Sequence, residues 1–415
     1  MEQAAPGPGT GARPRHPWVW AVLYFPFGLT IGFPSIAIGY LASRAGVSVS
    51  DIAGVVGMSW LASGWKFVWA PLGDYTLSRK TWYRIAIGLV SVGFVAMSSV
   101  PPSPRTMPLL SLVVLLTCVA GTFIAFATEG LMTHNSPPAA RGRSGGWFQS
   151  GNQFAQTAGG GLGLWLMKHL PSPWMAGVAL AAVLWMCSLA LSGVEEPPRH
   201  RRPGSLGERA ADAWRELGAL LRSRGGRIGL ILAVLPIGTA AAQGLFGGIA
   251  GEWNASADTA SVVLGVGGGL AIVAGCFAGG RLADRVPKPA AYAISCALGV
   301  LGCMLIAWSP RTQVGFTAST LFYTFSVGMC AATLTALVLA IIGDTAAATK
   351  INLYFALNTL FSLGMLRVDG WAHDAWCTNG MLYTEALVGL AALGVFLLLA
   401  GRVRGTETLE APARA

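Results

Sequence analysis

The sequence predicts an all-α membrane protein of twelve transmembrane helices, arranged as two six-helix pseudo-repeats. Three observations lead there. The chain has 415 residues, of which 53% are hydrophobic and only 11% charged, whereas soluble domains average roughly 25% charged. Apolar runs of about 20 residues, each long enough to cross a hydrocarbon core of roughly 30 Å, recur along the whole length. One charged turn also occurs twice: Ala70-Pro71-Leu72-Gly73-Asp74 followed by Arg79 and Lys80, and Gly280-Arg281-Leu282-Ala283-Asp284 followed by Arg285 and Lys288. The two aspartates are 210 residues apart, about half the chain, where two copies of one membrane unit would put them.

The apolar runs place helices 1 to 6 at roughly 18–42, 52–74, 82–100, 107–130, 145–167 and 174–193, and helices 7 to 12 at roughly 227–250, 258–282, 289–308, 313–342, 350–371 and 379–401. Residues 1–17 are Pro/Gly-rich and read as a disordered segment, with helix 1 retained rather than cleaved as a signal peptide. The expected domains are a first half at 18–193, a linker at 194–226, a second half at 227–401 and a tail at 402–415. In the linker, Leu206, Ala210, Ala213, Trp214, Leu217, Leu220 and Leu221 share one helical face, with Arg209, Arg215 and Arg222 elsewhere. This is the pattern of an amphipathic helix lying on the membrane surface, either as a connector or as a docking site.

Helix 1 holds Pro26 and Pro34 with Gly28 and Gly32, and its counterpart helix 7 holds Pro236 with Gly238, Gly244, Gly247 and Gly248. Such pairs mark either bending, cavity-lining helices or close helix packing. Helix 2 carries Lys66 eight residues before Asp74, about 12 Å inside the membrane end. Helical side chains tilt toward the N-terminus, so Lys66 is expected to face the interior, where it binds an anionic substrate group or pairs with a carboxylate. Glu129 near the end of helix 4 and Asp344 at the end of helix 10 stand at matching places in the two halves, and each is a candidate proton carrier. In helix 5, Gln149, Asn152, Gln153 and Gln156 fall at i, i+3, i+4 and i+7, before Gly159, Gly160, Gly161 and Gly163. Four amides on one face are costly against lipid, so that face lines a polar cavity or packs on another polar helix. Asn358 and Ser362 of helix 11 are weaker cavity candidates. Glu252, Arg367, Asp369, His373, Asp374 and Glu385 gather near the ends of helices 7, 11 and 12. They suit an outer gate, in which Glu252, Arg367 and Asp369 lead, or a set of surface salt bridges.

Loop charge sets the orientation. Of the 28 Lys and Arg residues, 22 fall in the segments on the side of the termini, and four (Arg44, Arg105, Lys168 and Arg311) on the other. That bias puts both termini in the cytoplasm and accounts for the net charge of +10 without nucleic acid. The seven Cys show no CxxC spacing, so neither a metal nor a disulfide framework is expected, nor any cofactor. Most of the 15 Trp lie near helix ends, as interfacial belts do; Trp60, Trp65 and Trp69 remain candidates for substrate contact.

The repeated turn resembles the loop between helices 2 and 3 of the major facilitator superfamily, approximately Gly-x-Leu-Ala-Asp-Arg with basic residues after it. Gly280 to Arg285 fits closely, while the first copy has Ala70 for Gly and Tyr75 for Arg. The resemblance implies a cytoplasmic latch made of Asp74, Arg79, Lys80, Asp284 and Arg285, with Asp74 meeting the start of helix 11 near Lys350 and Asp284 the start of helix 5 near Ser144. A narrower match is to AmpG-type permeases and acetyl-CoA transporters: Trp65-Lys66-Phe67-Val68-Trp69-Ala70-Pro71-Leu72-Gly73-Asp74 is similar to their Leu-Lys-Phe-Leu-Trp-Ala-Pro-Leu-x-Asp run, as are Arg141 to Gly163 and Asp369 to Asp374. AmpG-type permeases often have two further helices, and here Glu129 and Thr133 stand where aspartates are usual. The family implies proton-driven import of cell-wall anhydromuropeptides across a bacterial inner membrane, with ferric siderophores as the cargo of related carriers.

The expected function is therefore a monomeric, non-enzymatic secondary transporter with a small-molecule substrate, protons and the bilayer as partners, and with Lys66, Gln149, Asn152, Gln153, Gln156 and Asn358 on the substrate. A drug or metabolite exporter is an alternative. A membrane-embedded acyl- or glycosyltransferase needs a nucleophile or acid/base pair that the sequence lacks outside the cluster around His373.

Overall fold

The computed structural model describes residues 16–65, 77–135, 141–196, 240–342 and 347–407. Among these residues twelve helical stretches occur in the expected order. They are α1 (Trp18–Arg44), α2 (Val49–Gly64), α3 (Arg79–Ser99), α4 (Met107–Asn135), α5 (141–169) and α6 (Pro173–Gly193), then α7 (242–253), α8 (Ala257–Arg285), α9 (Lys288–Trp308), α10 (Gln313–Ile342), α11 (347–375) and α12 (378–407). Eight continuous segments among them are long and apolar enough to cross a membrane, and the last of these, Leu357–Leu398, contains parts of both α11 and α12. The linker helix, Lys66, Asp74 and Asp344 lie outside the described residues.

Several helices start before the apolar pattern does, because a hydroxyl satisfies their first amides. Ser48, Ser78 and Ser256 accept from the backbone N–H of Asp51, Thr81 and Thr259 at the starts of α2, α3 and α8. The same neighbours recur in each half: α2 packs on α4 as α8 does on α10, α3 on α4 as α9 on α10, and α3 on α6 as α9 on α12. This repeated pattern is the structural form of the duplicated turn. The end of the molecule that holds Arg44, Arg105, Lys168 and Arg311 is the one that loop charge predicts to lie outside, and it is called the outer end on that expectation.

Three helices widen by one residue per turn: α1 at Pro34–Ile38, α5 at Ala155–Gly159 and α8 at Ser261–Gly267. Proline lacks an N–H and crowds the preceding turn, which accounts for the first. The widened turn of α8 touches those of α1 and α5, and the widened turn of α5 packs on α1, so the three helices meet where the halves join. Such turns collect at functional sites. Glycine makes the meeting possible, since a Cβ on Gly32 or Gly161 would collide with the backbone of Gln156 or of Ser261 and Gly265.

α11 and α12 are joined by a turn in which Cys377 has φ 61° and ψ −176°, a conformation essentially confined to glycine. Cys377→Gly is accordingly expected to stabilise the protein by about 1 kcal/mol, seen as a raised Tm in detergent.

Candidate functional site

Among the described residues, every hydrogen bond and ion pair that joins the two halves lies at the outer end. Tyr40 Oη and Arg44 Nη2 both reach the carbonyl of Ala255, at 3.3 and 3.4 Å. Asp374 Oδ2 accepts from Ser50 N (3.2 Å), so a carboxylate of α11 sits on the first amides of α2. Lys168 Nζ meets Asp258 Oδ2 at 2.5 Å, but both side chains are about half exposed, and exposed pairs of this kind contribute little.

A cavity of about 480 Å³ opens at this end, lined by Arg44, Ser48, Gly248, Glu252, His373 and Asp374 among others. His373 Nε2 lies 3.0 Å from Glu252 Oε1, and its Nδ1 is 3.5 Å from Asp374 Oδ1, an ion-pair contact rather than a hydrogen bond. Thr378 also donates to Glu252. Glu252 lies between spans. Burial pushes its carboxyl up, but the hydrogen bonds from His373 and Thr378, together with the charges of His373 and Arg311, outweigh this and hold it below the usual range. Because these partners belong to the same half, the depressed carboxyl helps hold α7 to α11 and α12 at pH above the ordinary carboxylate value of about 4.3, and that contribution is lost as pH falls through its own lower value. Glu252→Gln is expected to loosen α7 from α11 and α12 by about 1 kcal/mol after allowance for solvent screening. The check is a lowered Tm in detergent at neutral pH, a difference from wild type that disappears as the medium is acidified.

The amides of α5 bond to one another. Gln156 Nε2 donates to Asn152 Oδ1 at 3.2 Å and to Gln153 Oε1 at 3.1 Å. Asn152 is buried against Gly28 of α1, while Gln153 and Gln156 are half-buried. Gln149 lies on the same helix one turn earlier. Asn358 is half-buried on α11, with Ser362 buried one turn on. Arg367 lays its guanidinium over Gly54 and Gly57 of α2, which lack the side chains that would obstruct it. No carboxylate pairs with Arg367 among the described residues, so it stands apart from Glu252 and Asp369.

At the opposite end, Glu129 accepts from Tyr24 Oη at 3.3 Å, and Tyr24 is stacked on Phe148 with ring centroids 3.6 Å apart. Arg79 reaches across to α4, over Phe126 and against Gly130, one residue beyond Glu129. The backbone amides of Arg79 and Lys80 hold Glu196 Oε1, at 2.6 and 3.4 Å, as a carboxylate at a helix start should. Through these amides Arg79 and Lys80 bind within their own half. Asp284 and Arg285 are exposed, and neither forms an ion pair with a described residue. The inter-half bonds of Tyr40, Arg44, Asp374 and Lys168 lie at the Arg44 end, and at the other end Asp284 makes no ion pair with a described residue.

One feature has no counterpart in the sequence pattern. Asp369, expected at an outer gate, is fully buried, and neither of its carboxylate oxygens has a hydrogen-bond partner. Close to it, Glu385 of α12 accepts from Tyr323 Oη (2.7 Å) and from the backbone N–H of Ala242 (3.0 Å). Two acids spaced 16 residues apart on consecutive helices carry no local signature; only the tight turn at Cys377 brings them together.

Two six-helix halves joined at one end, with polar side chains between them, define a membrane carrier. A sequence profile described as the Major Facilitator Superfamily matches residues 20–366, and the chain belongs to that family of transporters. Solved structures share the fold at low identity. The nucleoside transporter NupG aligns with a TM-score of 0.70 at 14% identity, over 92% of this chain and 98% of that one. A bacterial homologue of the human lysosomal transporter Spinster, in an inward-facing and unoccupied conformation, gives 0.70 at 14%, over 94% and 97%. A D-xylose–proton symporter gives 0.70 at 13%, over 92% and 95%. No curated protein matches the sequence.

Proposed function

We propose that this transporter is a proton-coupled importer of a polar, anionic solute, a muropeptide or related cell-wall fragment, in a bacterial cytoplasmic membrane with both termini inside. The observation that carries the reading is the amide ladder of Asn152, Gln153 and Gln156 beside the meeting point of α1, α5 and α8. Amides donate and accept, as sugar hydroxyls and peptide groups require. Arg367, without a carboxylate partner among the described residues, and Lys66 supply positive charge for an anionic cargo, and the AmpG-like run around Lys66 supports the same class. Proton coupling draws on Glu129 and Asp344, and on the symport named for one structural neighbour. The latch residues Asp74, Arg79, Lys80, Asp284 and Arg285 belong to movement between states, and Asp284, exposed here, is expected to find its partner when the outer end opens.

The test is uptake into proteoliposomes of labelled anhydromuropeptide, ferric siderophore, acyl-CoA and a cationic drug, with and without a pH gradient. Selective accumulation of the muropeptide supports the reading, and accumulation of another member alone replaces the cargo. Gln156→Leu removes the donor that links the amides and is expected to raise KM about tenfold, the worth of one or two hydrogen bonds. Lys66→Met is expected to raise KM for anionic substrates alone.

A further inference from the structure

α7 starts at Ala242, two residues after Ala240, whose backbone is left-handed with φ 56° although it has a side chain. The first amides of a helix lack helical partners. Here the N–H of Ala242 is taken by Glu385 Oε2, while Glu385 Oε1 receives the Tyr323 hydroxyl. Both oxygens of Glu385 are thus occupied by donors. Asp369 presents the opposite case, with a side chain 0% exposed and neither oxygen bonded. The two acids are close enough to interact electrostatically. The other titratable groups facing them are Cys303 of α9 and Tyr323 of α10; α7 contributes only backbone N–H. Arg367 is directed at α2, so among the described residues no cation pairs with either carboxylate. Asp369 is six residues from the end of α11 and Glu385 seven from the start of α12, about 10 Å below the outer surface.

We infer that Asp369 and Glu385 together are a proton-binding site in the second half of the carrier, and that α7 reads its occupancy through the Glu385–Ala242 hydrogen bond; this rests on the proton-coupled reading above. A charge on Asp369 would have no compensating donor, whereas a charge on Glu385 has two. One proton therefore resides on Asp369, and the empty position is on Glu385. A second proton arriving from the outer side adds to Oε1 of Glu385, where the Tyr323 hydroxyl can turn from donor to acceptor. Oε2 becomes a neutral carbonyl, so its bond to the first amide of α7 falls to roughly half its strength and the segment 242–253 is loosened. That segment carries Gly247 against Ser35 and Ile36 of α1, and Glu252 of the outer cavity, so its loosening parts the outer end. Deprotonation toward the cytoplasm restores the bond to full strength, and no electron moves in either direction.

The test needs no cargo, only protons. Purified protein in liposomes is titrated by infrared difference spectroscopy, which reads the carboxylic acid C=O band, and by hydrogen–deuterium exchange of the 240–253 segment corrected for intrinsic rates. The wild type is expected to show a buried carboxyl that titrates, with exchange of 240–253 rising about tenfold as the proton is taken up. Glu385→Gln and Asp369→Asn should each lose that carboxyl signal and the pH dependence of exchange. Tyr323→Phe, which leaves both acids in place, should displace the midpoint by about one pH unit, the equivalent of one hydrogen bond to a charged group. A wild-type titration in either acid variant overturns the site. A normal titration with unchanged exchange at 240–253 overturns the link to α7. Failure of muropeptide uptake bears on neither, because no solute is present.

Discussion

Glu129→Gln is expected to abolish accumulation driven by a pH gradient while substrate exchange across the membrane continues. The side chain is half-buried at the end of α4, holds the Tyr24 hydroxyl and has Arg79 at the next residue. Glutamine keeps the shape and an acceptor for Tyr24 but cannot exchange a proton. The solute still moves down its own gradient, because the helices that rock are unaltered. The accumulation ratio, about fiftyfold when one proton moves down 100 mV, falls to one. Counterflow measured on the same vesicles separates this from a folding defect, and accumulation that persists in the variant removes Glu129 from the coupling.

Gly32→Leu destroys the fold rather than tuning it. A Cβ on Gly32 meets the carbonyl and Cα of Gln156, parts of a helix backbone that cannot rotate away. α1 and α5 would have to separate at the place where their widened turns and α8 converge, and the amide ladder would go with them. Overpacking costs about 1–3 kcal/mol even where side chains can yield, and here only backbone is available to move. The expected result is loss of the monodisperse peak in fluorescence-detected size exclusion. Gly88→Ala is the control: nothing lies within 4 Å of the position a Cβ would take, so that variant should behave as wild type.

Much of the architecture is legible in the sequence because the bilayer imposes it. Apolar runs mark the spans, the repeated Asp74 and Asp284 turns mark the duplication, and both depend on local composition alone. Helix ends are less legible where a hydroxyl cap or a polar last turn extends them, as at Ser48 and at Asn135, whose amide bonds the backbone of Glu195. The amide face of α5 is legible because four polar side chains at helical spacing are conspicuous in lipid. Its internal hydrogen bonding is not, since rotamers depend on Gly28 and Gly32 across the contact. The outer cluster shows the limit best. Sequence proximity groups Glu252, Arg367, Asp369, His373, Asp374 and Glu385, but the helical twist of α11 sends Arg367 to α2, His373 and Asp374 to the cavity, and Asp369 inward to Glu385. Neighbours in the chain become three separate environments.

The most direct measurement of proton-coupled import is the accumulation of labelled anhydromuropeptide in proteoliposomes of the wild-type protein under an imposed inward proton gradient. Concentrative uptake, collapsed by a protonophore and accompanied by alkalinisation of the medium, is the predicted result. Uptake that only equilibrates the solute, or that proceeds equally without the gradient, contradicts it.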